Sequence, residues 1–383
     1  MKFLLIERGE IWSPTGSSNR SILIAGEKIA VVGEVDRRGL DLLKVDYEHI
    51  DANGCLIWPG LIDVHEHLIG GSGEEGWGTQ TPEITLGEIV GSGITTVVGC
   101  LGTDTITRTM PALLARAKSL NAEGITAKIW SGGYDVPPVT LTGSIRKDML
   151  LIDEVIGGGE IAIADGRSTA PSAQELARLV KDVHVGGMLT GKPGVTHFHV
   201  GEEVRRLRDL RVLLDDWGVK PEWIYPTHIE RNEALVQEAA ALTARGVTVD
   251  IDVIEKDLAK WLRFFLDQGG DPARLTASSD AAISSPRTLF EQVRSCVLDE
   301  KFPLELVLPL VTVNPAAVLQ MSNKARIEAD ADADLAIVDA ASLEIRHVVA
   351  RGKHCVRDGT LICKERYLSQ SNRKIELYGD KSW

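Results

Sequence analysis

Length, composition and charge place this chain among globular proteins larger than one ordinary domain. At about 150 residues per domain, its 383 residues suggest two or three domains, or one large α/β unit with a small one. Apolar residues make up 44% and charged residues 25%, which excludes disorder as a description of the whole chain. The net charge of −13 disfavours nonspecific nucleic-acid binding, and no apolar stretch approaches the roughly 18 residues that cross a bilayer. We therefore expect neither a nucleic-acid nor a membrane partner.

The cysteines and the first residues indicate a cytoplasmic protein. The cysteines are odd in number and widely spaced, without a CxxC motif: Cys55, Cys100, Cys296, Cys355 and Cys363. This pattern favours a reducing compartment and buried free thiols. The apolar run before Glu7 and Arg8 is shorter than the roughly 7–15 residues of a signal-peptide core. We expect cytoplasmic localisation.

The two ends of the chain are both rich in β-strand patterns. Residues 21–33 form two β-rich runs around a Gly-containing turn. Near the other end, residues 334–338 and 345–351 are predicted strands, and residues 354–361 a hairpin around Asp-Gly. Because chain ends often lie close together, we predict that residues 1–54 and 326–383 form one small β-sandwich domain.

The middle of the chain, residues 55–325, alternates short β-branched runs with helical patterns. The runs are 55–67, 95–101, 126–134, 160–165, 194–201, 223–229, 247–253 and 275–280. Residues 172–183 and 233–244 have helical periodicity, and Ser172 with Glu175 forms a capping-box pattern. Eight such units predict an α/β fold of the (β/α)8 TIM-barrel type. The competing layout is a doubly wound open sheet, but the Gly-rich stretch 70–73 lacks the GxGxxG spacing that such sheets often carry.

A histidine pair ends the first run of the middle segment. Residues two apart in a strand point to the same side, so His65 and His67 can both face the barrel mouth. Two imidazoles at one strand end suit a divalent transition metal. Taken alone, the motif is equally compatible with two polar residues in a loop.

Three further candidate ligands follow other strands. His199 ends the fifth run, His228 the sixth and Asp280 the eighth. Strand carboxyl ends gather at one face of a barrel, where active sites lie, so these side chains should converge with the histidine pair. His197 shares the face of His199 one layer deeper; it is either a third inward histidine or, in our interpretation, a packed core residue.

The order of these motifs resembles the amidohydrolase superfamily, and within it the isoaspartyl (β-aspartyl) dipeptidases. The matching stretches are PGLIDVHEHLIGG (59–71), TPE (81–83), VGCLGTD (98–104), DGRS (165–168), GKPGVT (191–196), PTH (226–228) with Arg231 and Asn232, and SSD (278–280). They run through the whole predicted barrel, and the Asp-rich stretch 329–335 fits the terminal domain. The resemblance implies a metallo-dipeptidase, and since the family tends to assemble, a homo-oligomer.

One departure concerns the group that bridges the metals. The family typically uses a carboxylated lysine on the fourth strand, where this chain reads IGGGEIAI (156–163). Glu160 has a carboxylate of the same charge but a shorter reach. The matching segment is one residue longer than in the family, and we hypothesise that its glycine run shifts the strand so that Glu160 bridges. The alternative is that Glu160 misses, which leaves one metal or a weakened site.

The resemblance implies two divalent ions, and Zn²⁺ suits the histidine and carboxylate ligands. Such ions lower the pKa of a water and polarise a carbonyl. Asp280 would accept the proton of that water and pass it to the leaving amine. The resemblance assigns Tyr134, at the end of the third run, to the carbonyl oxygen; the alternative for a tyrosine is packing.

By resemblance, the substrate is a small dipeptide with several charges. Glu74 would bind the free α-amino group, Arg231 with Ser284 the α-carboxylate, and Arg167 the carboxylate of the leaving residue. Gly73 and Thr103 would line the pocket. Each could instead be an ordinary surface group. The rival functions are hydrolysis of another amide, such as an N-acyl amino acid or a cyclic imide, and a non-catalytic assembly protein.

Overall fold

The computed structural model of the chain describes residues 3–13, 16–71, 73–255 and 257–372. The end of the predicted terminal domain, residues 373–383, lies outside the described residues, as does Ser72 of the Gly-rich stretch. Among the helices of the described residues, none combines the length and apolar character needed to cross a membrane.

The described residues include nineteen strands, which form three groups along the chain. The first group is β1 (Phe3–Glu7), β2 (Glu10–Ile11), β3 (Ser18–Asn19), β4 (Ser21–Ala25), β5 (Lys28–Gly33), β6 (Tyr47–Asp51) and β7 (Cys55–Pro59). The second group is β8 (Leu61–Glu66), β9 (Ile94–Gly99), β10 (Thr126–Ser131), β11 (Val155–Ile163), β12 (Val195–Val200), β13 (Ile224–Thr227), β14 (Val249–Asp252) and β15 (Leu275–Ser278). The third group is β16 (Leu335–Asp339), β17 (Ile345–Ala350), β18 (Lys353–Arg357) and β19 (Thr360–Leu361).

The first and third groups build a β-sandwich from both termini. One sheet has the order β5-β4-β1-β6 and the other β19-β18-β17-β16-β7-β2-β3. Alternation along the strands, such as buried Ile22 and Ile24 in β4, turns one face of each sheet inward. These faces enclose one apolar core, in which Ile6 and Ile24 meet Ile57 and Ile337. The predicted hairpins at 21–33 and 354–361 are confirmed.

The second group forms the barrel. Its strands pair in parallel in the order β13-β12-β11-β10-β9-β8, and β14 pairs with β15. The ring closes because β13 lies beside β14, and β15 lies beside β8. Most of these strands are buried along their whole length, as expected for parallel strands covered on the outside by helices. The predicted (β/α)8 barrel is confirmed, and the open doubly wound layout is excluded.

Eleven α-helices are described, most of them in the barrel segment. They are α1 (Arg37–Leu42), α2 (Leu86–Gly91), α3 (Met110–Glu123), α4 (Ile145–Leu151), α5 (Ala173–Thr190), α6 (Arg208–Asp216), α7 (Glu233–Thr243), α8 (Leu258–Asp267), α9 (Arg287–Leu298), α10 (Leu304–Val307) and α11 (Val313–Val318). The capping box of Ser172 and Glu175 opens α5 as predicted. That helix extends beyond residue 183 to Thr190, where Gly191 ends it in a left-handed conformation.

The run 55–67 is not one strand, and the prediction that it forms a single barrel strand was wrong. Residues Cys55–Pro59 are β7, which pairs with β16 and β2 of the terminal sheet. The chain enters the barrel only with β8, after Gly60. A Cβ at Gly60 would lie 2.3 Å from the Thr95 hydroxyl, so the crossing from sheet to barrel needs a residue without a side chain. Strand β7 thus lies after the predicted domain boundary at residue 55 but belongs to the terminal sheet.

Candidate active site

Six predicted metal ligands meet at the carboxyl ends of the barrel strands. His65 Nε2 lies 3.2 Å from Glu160 Oε2 and 3.3 Å from Asp280 Oδ1. His67 Nε2 lies 3.1 Å from the same Asp280 oxygen. Glu160 Oε1 lies 2.7 Å from His199 Nδ1 and 3.1 Å from His228 Nε2. The structure therefore brings together side chains from the ends of β8, β11, β12, β13 and β15.

Glu160 reaches the centre of this cluster because β11 changes register beside it. Gly158 is paired with Thr196 of β12, but the next pair is Ile161 with Phe198, so two residues of β11 are accommodated between them. Gly159 has φ of 149°, and a Cβ there would come within 2.8 Å of His197 Cβ. The glycine run thus permits the local shift, and the carboxylate of Glu160 faces histidines on both sides.

Two of the converging residues have backbone conformations that side chains rarely adopt. The φ of His228 is 63° and that of Asp280 is 45°. Left-handed backbone at a non-glycine residue costs of order 1–3 kcal/mol and concentrates at functional sites, where the surroundings hold it. His228 is the first residue after β13 and Asp280 the second after β15, where the chain leaves the sheet.

The donor set fits divalent cations. His65 Nε2 and Glu160 Oε2 are buried and have no hydrogen-bond partner among the described residues. Burial alone would raise the pKa of Glu160, but the imidazoles of His65 and His199 hold it well below its ordinary value. Burial alone would lower the pKa of His228, but Asp252 and Glu160 raise it to about 9. Buried ionised groups are normally paired or bound to metal, and imidazoles with carboxylates are the ligands that Zn²⁺ takes.

The sequence analysis missed the groups that hold the outer nitrogens of these histidines. Asp252 Oδ2 lies 2.5 Å from His228 Nδ1, and Asp165 Oδ2 lies 3.0 Å from His199 Nε2. The Cys100 thiol lies 3.8 Å from His67 Nδ1. Asp252 is the last residue of β14, so the rule that located the other ligands at strand ends also pointed to it.

His197 lies one layer below the cluster, and its interpretation as a packed core residue is confirmed. It is fully buried, stacked on the Trp130 ring at 5.2 Å and close to the Tyr225 ring at 5.0 Å. Its Nδ1 donates to the Tyr225 carbonyl at 3.2 Å, and its Nε2 lies 3.4 Å from His65 Nδ1.

Tyr134 faces the cluster rather than only packing beneath it. Its hydroxyl lies 2.8 Å from His199 Nδ1, and the residue is 5% exposed. Burial, reinforced by the negative charge of Glu160, raises the pKa of Tyr134 well above its ordinary value. The phenol therefore keeps its proton and can act as a hydrogen-bond donor.

The groups expected to bind the two ends of the substrate form a connected set at the mouth. The Arg167 guanidinium donates to Asp165 from Nε at 2.8 Å and from Nη2 at 2.8 Å, and its Nη1 pairs with Glu74. Thr103 Oγ1 donates to the same Glu74 carboxylate at 3.2 Å. Glu74 remains 53% exposed at its side chain, open to a further cation. Gly73 precedes it in a tight loop, where a Cβ would collide with Thr79.

Arg231 and Ser284 are the other expected carboxylate-binding pair. The Nε of Arg231 and the hydroxyl of Ser284 are both buried without a hydrogen-bond partner among the described residues. Arg231 ends the short helical turn Ile229–Arg231 after β13, and Ser284 lies four residues after Asp280. A buried donor without a partner costs about 1–3 kcal/mol. Such atoms at the mouth of the site point to an anionic ligand.

Comparisons with known proteins agree with this geometry. No protein-family model matches the chain. A crystal structure of a β-aspartyl dipeptidase from Fervidobacterium islandicum AW-1 is 38% identical, has a TM-score of 0.89 and is matched over 94% of this chain and 98% of that one. A second structure from the same organism, in complex with the dipeptide β-Asp-Leu, is 37% identical with a TM-score of 0.88, over 94% and 97% of the two chains.

Sequence relatives are more distant. The dihydroorotase of Lactococcus lactis is 25% identical over 402 aligned positions, which cover 88% of this chain and 90% of the relative. The dihydroorotase of Syntrophotalea carbinolica is 40% identical over 67 residues, so this match spans only 17% of the chain and 14% of the relative.

Proposed function

This chain belongs to the β-aspartyl dipeptidase family of amidohydrolases, and we propose that it hydrolyses the isopeptide bond of β-aspartyl dipeptides. The observation that carries the proposal is the pairing of a histidine and carboxylate cluster with unpartnered buried donors on Arg231 and Ser284. The cluster can hold cations, and the two donors can bind a carboxylate. A zwitterionic dipeptide with a second carboxylate meets both needs.

Two divalent ions would be held by the six clustered side chains, with Glu160 between them. His65 and His67 with Asp280 would hold one ion, and His199 with His228 the other. Glu160 lies within reach of both histidine pairs. Bound there, the ions supply an activated water and polarise the scissile carbonyl. We propose Zn²⁺ because histidine nitrogen and carboxylate oxygen are its preferred ligands in this mixture. A cytoplasmic location and a homo-oligomeric state are further parts of the proposal.

Asp280 moves the proton. Burial would raise its pKa, but the charge of His65 and the hydrogen bond with His67 lower it, so the carboxylate is ionised and can accept. It would take a proton from the attacking water at one oxygen and deliver it to the nitrogen of the departing amino acid. Because that nitrogen leaves as an amine, a single carboxylate serves both halves of the reaction.

Tyr134 stabilises charge on the carbonyl oxygen. Its buried hydroxyl keeps its proton and lies against His199, at the edge of the cluster. As the carbonyl carbon becomes tetrahedral, negative charge grows on the oxygen, and a fixed donor gains strength at that moment. The residue therefore contributes more to the transition state than to substrate binding.

Charge complementarity supports the substrate class. Glu74 is exposed and can accept an ammonium, while Arg167 and Arg231 carry guanidinium groups that match carboxylates in bidentate fashion. An N-acyl amino acid or a cyclic imide has no ammonium and leaves Glu74 without a role. A non-catalytic assembly protein leaves the whole cluster without one.

A substrate panel with metal analysis tests the proposal. Protein prepared with Zn²⁺ is assayed with β-Asp-Leu, its N-acetyl form, α-Asp-Leu and a cyclic imide, and bound metal is counted by elemental analysis. We expect turnover of β-Asp-Leu alone, two metal equivalents, and loss of activity with a chelator. Faster turnover of the acetylated dipeptide or the imide would support a different amidohydrolase, and inactivity on all four would support the assembly protein.

A further inference from the structure

The four clustered imidazoles fall into two pairs according to what holds the nitrogen that faces away from the centre. The outer nitrogens of His199 and His228 lie 3.0 Å from Asp165 and 2.5 Å from Asp252. The outer nitrogen of His65 lies 3.4 Å from the imidazole of His197. One pair is thus backed by carboxylates and the other is not.

The second pair has an imidazole and a thiol behind it rather than carboxylates. His197 Nδ1 donates to the carbonyl of Tyr225, so its Nε2 is the nitrogen that accepts from His65 Nδ1. The other member, His67, has only the Cys100 thiol at 3.8 Å, a weak hydrogen-bond partner. Both imidazoles still direct Nε2 to the centre, but among the described residues no carboxylate accepts from the nitrogen behind either of them.

The two carboxylates are themselves held in place. Asp252 is 6% exposed; its Oδ1 accepts from the Ile254 amide at 3.1 Å, and its own amide donates to Glu230 at 3.3 Å. Asp165 is fixed by the two hydrogen bonds from Arg167. Its Oδ2 receives Nη2 and faces His199 Nε2, and Nη2 itself lies 2.9 Å from that same nitrogen. Other groups therefore hold both carboxylates in place, so their positions do not depend on the histidines alone.

A carboxylate behind a ligating imidazole has a known physical effect. By accepting the outer N–H it fixes the tautomer and the ring orientation, and it raises the basicity of the nitrogen that faces the metal. For His228 this leaves Nε2 toward Glu160, and for His199 it leaves Nδ1 toward the same oxygen. The different choice of nitrogen in the two rings follows from where Asp252 and Asp165 lie.

We propose that Asp165 and Asp252 are positioning residues that make the cation position of Glu160, His199 and His228 the tighter of the two. The proposal rests on the proposed function only in taking this cluster as the metal centre. Asp165 has a second effect, because its carboxylate also orients Arg167, the expected partner of the leaving residue's carboxylate. Asp165 therefore contacts both a candidate metal ligand and a candidate substrate-binding residue, whereas of these two kinds Asp252 contacts only a candidate metal ligand.

Zn²⁺ titration of the metal-free full-length chain, against a chromophoric chelator, tests the proposal. Asp252→Asn and Asp165→Asn should each weaken one equivalent by about 10–100-fold and leave the other unchanged. Asp250→Asn is the matched control. Asp250 lies two residues earlier in β14 and is fully buried, and it accepts from Thr227 and Ser278 but touches no candidate ligand. We expect wild-type affinities for this variant.

Kinetics at saturating Zn²⁺ separate the two carboxylates. Asp252→Asn should regain the wild-type KM once metal is restored, whereas Asp165→Asn should keep a raised KM because Arg167 has lost its support. Thermal unfolding of each metal-free variant identifies any that fails to fold. If Asp252→Asn does not fold, Asp252→Glu replaces it. Because this variant keeps a carboxylate, its Zn²⁺ affinity should lie closer to that of the wild type.

The outcomes are distinct. Wild-type affinities in both Asp→Asn variants, an equal fall of both equivalents, or an equal fall in Asp250→Asn would overturn the proposal. If the wild type binds a single Zn²⁺ equivalent, weaker binding of that equivalent in Asp252→Asn supports the proposal, and unchanged binding overturns it. Failure of the proposed function would instead be seen as wild-type protein that binds Zn²⁺ and does not cleave β-Asp-Leu.

Discussion

The barrel mouth and the junction between barrel and sandwich both bury charged side chains, but they satisfy them differently. At the junction, Lys324 Nζ pairs with Asp334, lies 3.0 Å from Asp332 and donates to Thr126 at 2.7 Å. At the mouth, His65 Nε2 and Glu160 Oε2 lie 3.2 Å apart, yet neither forms a hydrogen bond with the other or with any other described residue. Complete pairing indicates a structural role, because nothing remains for a ligand to satisfy.

Burial without a partner does not by itself indicate a ligand site. Both carboxyl oxygens of Glu66 are buried and unpartnered, on the opposite side of the strand from His65. Burial, together with the neighbouring Asp63, raises the pKa of Glu66 well above its ordinary value. Such a group is neutral and needs no counterion. Glu160 differs because surrounding imidazoles keep it ionised. The contrast shows that lack of a hydrogen-bond partner marks the site only when the buried group is also ionised.

The largest effect on the mouth should come from Asp280→Asn. The amide cannot accept a proton, so kcat for β-Asp-Leu should fall by about 10²–10⁴-fold. Steady-state kinetics at saturating Zn²⁺ measure the loss, and urea unfolding of the metal-free variant checks that it folds. A kcat within tenfold of the wild type would contradict the assignment of Asp280 as proton carrier.

At the junction, Lys324→Met should lower the free energy of unfolding by about 3–5 kcal/mol, because it leaves the buried carboxylate of Asp334 without a countercharge. Urea denaturation measures this, and kcat/KM of the folded enzyme should be unchanged. The matched control is Lys28→Met. Lys28 pairs with the same Asp332 at 2.5 Å, but its side chain is 47% exposed. It should cost no more than about 1 kcal/mol. Equal effects of the two variants would show that burial is not what distinguishes the junction.

The third-largest effect is expected at the barrel mouth. Arg231→Lys removes the forked donor and should lower kcat/KM for β-Asp-Leu by about 10–100-fold, mainly through KM. The reason is that a lysine ammonium cannot form the bidentate contact. Arg205→Lys is the control, since the side chain of Arg205 is 44% exposed and pairs with Asp209 of α6 at 2.7 Å. An unchanged KM in Arg231→Lys would remove this residue from the binding site.

The smallest effect is a pH dependence in the sandwich. Burial and the neighbouring His354 lower the pKa of His347 from its ordinary 6.5 to about 4. Between these two values the unfolded chain binds the proton and the folded chain does not. Stability from this group is therefore complete above pH 6.5 and is lost as the pH falls toward 4. We expect a loss of about 2 kcal/mol over this window.

His347→Gln isolates that contribution. Urea unfolding of both proteins at several pH values gives the difference, and the variant should lose less stability on acidification than the wild type. Parallel pH profiles would contradict the lowered pKa of His347. Measuring metal-free protein keeps the ligands at the barrel mouth from adding a pH dependence of their own.

Much of the architecture and the candidate site could be predicted from local patterns. The eight β-branched runs located the barrel strands, and the residues at their ends, from His65 to Asp280, do converge. The capping box at Ser172 and the Asp-Gly hairpin at residue 358 were also readable. These features depend on hydrogen bonds and turn geometry among residues only a few positions apart, so neighbouring side chains determine them.

Other features depended on partners that are distant along the chain. The pairing of β7 with β16 joins residues far apart, and this contact, not the composition of 55–67, assigns β7 to the sandwich. The reach of Glu160 depends on a register shift against β12, and the ligating nitrogen of His228 depends on Asp252. Amino-acid patterns decide which segments are strands and where they end. Only the folded chain decides which strands pair and which atoms meet, because those choices are made by contacts between elements.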